Sequence, residues 1–214
     1  MFYYRNSMPN ISSSIRFLHA STEDYNIDVK IDDKLLQTNL SFGTITNYQK
    51  ISPGEHSIKV YKTDDKSNPV YEDTLVLLPA SMVTVSLVTV NNALSVFMLR
   101  DGAETTNPAL GNLRFINLSP KSPLFNLLYE DRKPIFENVE FLETTNYTPL
   151  QPQKYNFIMT YSASGKNTET SIRDIDINKF LSYTIYVIGE VNGPKKLGYI
   201  FTTDEIDKWS EIIV

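Results

Sequence analysis

From Ile27 to Asp32 apolar and charged residues alternate without a break, with Ile27, Val29 and Ile31 set against Asp28, Lys30 and Asp32. A period of two buries one face of a strand and leaves the other to solvent. Similar short runs recur along the whole chain, parted by turn residues at intervals of roughly 8 to 12 residues, the spacing of an all-β sandwich. The pattern predicts strands over 15–18, 27–31, 35–36, 45–51, 56–61, 70–78, 82–90 and 93–99. In the second half the clearest are 124–129, 155–161, 172–177 and 183–188. Asp32-Asp33-Lys34 reads as a hairpin turn. In Ser52-Pro53-Gly54 proline presets one dihedral and glycine permits a positive φ. A single helix is predicted, at the C-terminal end. Thr202-Thr203-Asp204-Glu205 resembles a capping box, and Ile206, Trp209 and Ile213 share one helical face. That stripe, with the chain's one tryptophan, docks either on the neighbouring sandwich or on another chain or surface.

The pattern occurs twice. IRFLHAS at 15–21 is matched by LRFINLS at 113–119, and LSFGTITNY at 40–48 by VEFLETTNY at 139–147. Agreement in one order with small slips marks a tandem duplication. We therefore divide the 214 residues into a tail (1–14), a first domain (15–100), a linker (101–112) and a second domain (113–214) that carries the helix. So short a linker, feeding straight into a strand, predicts domains set end to end.

Composition narrows the function. The chain has no cysteine, which excludes disulfides and thiolate metal sites. Lys and Arg number 20 against 25 Asp and Glu, a net charge of −5 shared by both halves. This balance argues against nucleic acid, whose phosphates call for a basic face. No apolar run reaches the ~18 to 20 residues of a transmembrane helix. The opening MFYYRNSMPNISSS lacks an apolar core and a cleavage site, so it is read as other than a secretory signal.

Arg16, His19, Ala20, Ser21, Asp28, Phe42, Gly43, Tyr48, Pro53 and Gly54 resemble the motif residues of the bacterial domain of unknown function DUF4397. The second copy departs from the pattern at Asn117, Leu142 and Gln153. The resemblance implies tandem immunoglobulin-like or prealbumin-like antiparallel sandwiches, usually in exported or surface-exposed bacterial proteins, with no assigned chemistry. A spore coat or similar assembly would reconcile a surface location with the absence of a signal.

Candidate binding residues are few. Arg16, His19 and Asp28 stand in the first motif as binding candidates, and Arg16 and His19 serve either recognition or hydrogen bonds that fix the strand. A Ser/His/Asp set can be written from Ser21, His19 and Asp28, but without a nucleophile elbow or a Gly-rich oxyanion loop. The acidic pairs Asp32/Asp33, Asp64/Asp65 and Glu130/Asp131 fall in turns without EF-hand spacing, so neither a metal nor a cofactor is expected. Tyr48 and Tyr147 occupy equivalent places, where a hydroxyl bonded back to the backbone would form a corner. Phe2, Tyr3 and Tyr4 precede the repeat and either pack on a sandwich or add to a neighbour's sheet edge. The sequence thus predicts a non-enzymatic structural or binding module that engages protein partners or a surface polymer and is capable of self-assembly. A carbohydrate-binding module and an enzyme with an inter-domain site are the alternatives.

Overall fold

The computed structural model of the chain describes residues 11–102 and 107–204. Sixteen strands and no helix are present among them, in four four-stranded sheets. The first unit has an inner sheet in the order β4 (Gln49–Ile51), β1 (Ser13–His19), β7 (Met82–Val90), β8 (Ala93–Arg100). Its outer sheet runs β3 (Lys34–Leu40), β2 (Ile27–Ile31), β5 (Gly54–Lys62), β6 (Tyr71–Leu77). The second unit repeats the plan, with an inner sheet of β12 (Thr148–Leu150), β9 (Gly111–Asn117), β15 (Ser182–Ile188) and β16 (Gly198–Thr203). Its outer sheet is β11 (Pro134–Val139), β10 (Phe125–Tyr129), β13 (Gln153–Ala163) and β14 (Lys166–Ile177).

The alternation does what the sequence requires of it. Ile15 and Phe17 of β1, Ile27, Val29 and Ile31 of β2, and Val83, Val85 and Leu87 of β7 meet in one core. Leu113, Phe115, Phe125, Phe157, Ile185 and Val187 meet in the other. Asp32 and Asp33 have φ of 50° and 60°, which makes their hairpin a primed turn whose twist suits the flanking strands. Gly54 has φ 123° just after Pro53, as that turn demands.

Four expectations are corrected. The sheets are not wholly antiparallel, because β1 lies parallel to β7 and β9 to β15. A parallel pair needs a long connection, and the intervening strands supply it. The strand expected over 45–51 is reduced to β4 and an isolated bridge from Ile45 to Leu18, as the chain crosses the sheet edge there. The C-terminal helix lies almost wholly outside the described residues, and its supposed first turn is different where it is seen, since Thr202 and Thr203 continue β16 and pair with Thr184 and Tyr183.

The fourth concerns how the units meet. Their inner sheets stack face to face, not end to end, so the order of layers is outer, inner, inner, outer. β1, β9 and β15 are buried at every position, because each faces its own core on one side and the other unit on the other. Leu18, Ala20 and Val88 of the first unit pack with Ile116, Leu118, Tyr186 and Ile188 of the second in a third core. An aliphatic side chain fully removed from water there contributes about 1.5–3 kcal/mol.

Candidate functional site

Each unit contributes the same four polar residues to one end of this interface: Arg16, Tyr48, Thr84 and Asp101 from the first, Arg114, Tyr147, Thr184 and Asp204 from the second. Asp101 follows β8 and Asp204 follows β16. Each carboxylate is held by the threonine and tyrosine of its own unit: Thr84 Oγ1 donates to Asp101 at 2.5 Å and Tyr48 Oη at 2.7 Å. Asp204 accepts from Tyr147 Oη at 2.7 Å and from Thr184. The arginines are exchanged. Arg16 donates Nη2–H to Asp204 at 2.6 Å and Nη1–H to the Thr203 carbonyl at 2.7 Å, while Nε–H goes to its own Thr84 at 2.7 Å. Arg114 does the converse, to Asp101, to the Arg100 carbonyl at 2.8 Å and to Thr184 at 2.7 Å. Each guanidinium also lies over its own unit's tyrosine ring, at 4.4 Å for Arg16 on Tyr48 and 4.8 Å for Arg114 on Tyr147.

The electrostatics follow from this enclosure. Burial works against the charge on Arg16, but Tyr186, Tyr48, Asp101 and Asp204 more than offset it, and the guanidinium is held above its ordinary range. Arg114 behaves likewise. Burial and the neighbouring Asp204 push Asp101 up. Tyr48 and Tyr147 are raised by burial and by the carboxylates they serve. Their hydroxyls donate to side-chain carboxylates, in place of the backbone bond expected from the sequence at Tyr48, while Tyr147 Oη also accepts from the backbone N–H of Gly102 at 3.2 Å. Arg16 is a joint between units, held at both faces.

At the other end of the interface His19 is fully buried, edge-on to Phe42, with Nε2 3.2 Å from the Tyr25 carbonyl. Its counterpart Asn117 donates to Ser122 Oγ and to the Val139 carbonyl. Both residues pin the loop that leaves the first strand of their unit, which explains how asparagine replaces histidine without loss of the fold. Desolvation lowers the His19 pKa, helped by Lys195 and opposed by the Tyr25 carbonyl. A base depressed in the folded state takes up its proton first when unfolded, so it weakens the fold as pH falls below about 6.5. His56 has the opposite sign: burial lowers it, but Asp32 and the Ser52 carbonyl raise it further, so its contribution is lost as pH rises. Replacing His19 by asparagine is expected to flatten the stability loss between about pH 6.5 and 5. Urea unfolding of wild type and variant across that interval checks it, and the difference between them isolates His19 from His56.

Asp28 belongs elsewhere. It is buried in the outer sheet of the first unit, where Oδ1 accepts from Asn39 N–H at 2.9 Å and Thr63 Oγ1–H at 2.7 Å and Lys66 Nζ approaches Oδ2 at 2.8 Å. Asn39 has φ 53° at a register shift between β2 and β3, so Asp28 fixes a bulge. Asn126 does the same for Asn138, φ 57°, in the second unit. Burial raises the Asp28 pKa, but these donors outweigh it and bring it to about 2. A carboxylate depressed on folding stabilises above its ordinary value near 3.8 and loses that contribution as pH falls toward about 2. Asp28→Asn is expected to cost about 1–2 kcal/mol at neutral pH and less at pH ~2, by denaturant unfolding at both.

His19, Ser21 and Asp28 do not converge. Ser21 Oγ pairs with Thr89 Oγ1 at 2.9 Å, His19 with Tyr25, and Asp28 with the outer-sheet turn. Phe2, Tyr3, Tyr4 and Trp209 lie outside the described residues. The acidic pairs sit in turns: Asp32 meets His56 and Asp33 meets Lys59, while Asp131 meets Lys133. Among the described residues no three of His, Cys, Asp and Glu gather as a metal would need, and no helix is long and apolar enough to cross a membrane.

Beyond His19 the units part to form a cleft of about 600 Å³. Thr22, Glu23, Thr89, Asn91 and Asn92 line it from the first unit, Lys121, Ser122, Phe141, Leu142, Glu190 and Pro194 from the second. Lys121 Nζ–H donates to Asn92 Oδ1 at 2.7 Å, and Lys195 Nζ meets Asp24 at 2.7 Å, so two contacts between units tie its rim. Leu142 adopts φ 63° where the first copy has Gly43 at 79°, keeping the turn at the cost of a conformation that leucine disfavours.

Sequence reasoning found Arg16 but missed Asp101, placed in the linker, and Asp204, placed in a helix cap. The signal was available: both aspartates come directly after the last strand of each repeat, just beyond the aligned segment.

Comparison with known proteins gives one family, described as "Domain of unknown function (DUF4397)", which matches residues 13–128 and 111–211. No curated protein matches the chain. Among solved structures, a "putative cell adhesion protein" from Parabacteroides distasonis is similar over 90% of this chain and 98% of its own, at 9% identity and a TM-score of 0.23.

Proposed function

The chain belongs to the DUF4397 family, with two tandem copies of its domain, and from that premise we propose that it is a non-enzymatic structural or binding module of a bacterial surface or spore-coat-type assembly that engages protein partners. The observation that carries this reading is the exchanged arginine lock. It commits the strongest charges of both repeats to joining the units, and a pair joined over a continuous core presents its loops at a fixed spacing. We read each unit as immunoglobulin-like, in the prealbumin-like form; the sheet orders 4-1-7-8 and 3-2-5-6 with one parallel pair support this.

The inter-unit cleft is the surface on which we place the partner. Its rim mixes Glu23, Glu190 and Lys121 with asparagine and serine, a polar rim around Phe141 and Leu142 that suits a protein contact. A carbohydrate module would favour an aromatic platform on a sheet face. The outward positions of the first unit's outer sheet instead include Lys30, Ser57, Lys59, Glu72 and Thr74, and Tyr61 is covered by Lys30 at 4.8 Å. An enzyme with an inter-domain site would have to use the same cleft.

A photo-crosslinking residue at the exposed Pro194, on the full chain in intact cells or spores, tests the reading. Discrete protein adducts are expected, reduced about tenfold or more by Lys121→Glu. Adducts that ignore Lys121→Glu, or retention on purified cell-wall polymer with no protein adduct, would overturn it.

A further inference from the structure

Ser86 on β7 and Tyr186 on β15 are equivalent residues. Ser86 lies beside Leu18 of β1 in the parallel register, and Tyr186 lies beside Ile116 of β9, the counterpart of Leu18. Thr84 and Thr184, two residues earlier, are the matching threonines of the lock. Tyr186 is wholly buried in the inter-unit core with Leu18, Ala20 and Val88 of the other unit. It follows Thr184, a residue of the lock, by two positions on the same face of β15, and burial with the neighbouring carboxylates raises the pKa of its hydroxyl. The group therefore stands near the axis that exchanges Arg16 with Arg114 and Asp101 with Asp204. A bulky group at such an axis cannot be duplicated, because its symmetry mate would claim the same space. At the equivalent place the first unit has serine, also buried, and neither hydroxyl has a hydrogen-bond partner among the described residues.

We propose that the inner face of each unit is a pairing surface for a second copy of this repeat, built on a two-fold plan, and that Tyr186 against Ser86 restricts pairing to a large face with a small one. Two first-unit faces would leave the volume of a phenol ring empty. Two second-unit faces would bring two rings into collision. Either mismatch is unfavourable in a close-packed interface, so each face takes a partner of the opposite kind, which the other half of the same chain supplies. This is independent of the functional reading above, since it concerns which copies pair and not what the pair binds.

The full chain tests it through Ser86→Tyr, Tyr186→Ser and the exchange of both. Ser86→Tyr is expected to lower Tm by about 2–12 °C through collision, and Tyr186→Ser by about 6–20 °C through the cavity it leaves. The double variant restores one ring and one small residue at the axis, and its Tm is expected within about 5 °C of wild type. Losses that simply add in the double variant, or a Ser86→Tyr chain with unchanged Tm, overturn the proposal. A second measurement stands even if the tyrosine variants fail to fold. Wild-type chain cut at a protease site inserted within 103–106 is expected to persist as a one-to-one particle by native mass spectrometry. Free halves, or pairs of two first units or two second units, overturn it.

Discussion

Replacing Asp204 by alanine is expected to lower stability by about 3–5 kcal/mol, the range for removing one partner of a buried ion pair. The reason lies in what is left behind. Asp204 accepts from Arg16, Tyr147 and Thr184, and Arg114 Nη2 stands 3.7 Å away. Its loss leaves two buried guanidiniums to share Asp101, which already serves Arg114, Thr84 and Tyr48. For a chain of this size the loss corresponds to a fall in Tm of about 6–20 °C. Arg16 makes its bond to Asp204 across the interface, so the damage should also appear as separation of one thermal transition into two, seen by calorimetry. A single transition shifted by less than about 2 °C would show that the lock contributes little to holding the units together.

The parts of the fold governed by local period were legible in the sequence. β2 and β7 begin and end where the alternation and the turn residues place them, because one buried face is enough to mark a strand. The repeat revealed two units for the same reason. Their arrangement was written in a subtler sign: the positions of β1, β9 and β15 that should have faced water are Leu18, Ile116, Tyr186 and Ile188, and strands apolar on both faces need two partners. Arg16 and Arg114 among them gave no hint of their partners, since Asp101 and Asp204 stand far along the chain and meet them only after the inner sheets stack. A long-range ion pair has no local period by which to be read. His19 was visible as a motif residue, but that it anchors a loop through Tyr25 became plain only beside Asn117, which does the same work in the other copy.

Phe115→Ala is expected to cost about 3–5 kcal/mol, and to weaken the first unit as well as its own. The ring is fully buried in the second core and stacks on Phe136 at 6.3 Å between centroids. Its neighbours on β9 point the other way: Arg114 reaches Asp101, and Ile116 enters the core between units. One strand thus carries a core residue on one face and two interface residues on the other, and a cavity behind Phe115 loosens the surface on which the first unit rests. Amide hydrogen exchange distinguishes this from a local effect. Protection should fall in β1 and β7 of the first unit alongside β9 and β15, as expected when strands open in one cooperative step. Faster exchange confined to the second unit would mean that the stacked sheets unfold separately, and that the inter-unit core joins the units without coupling their stability.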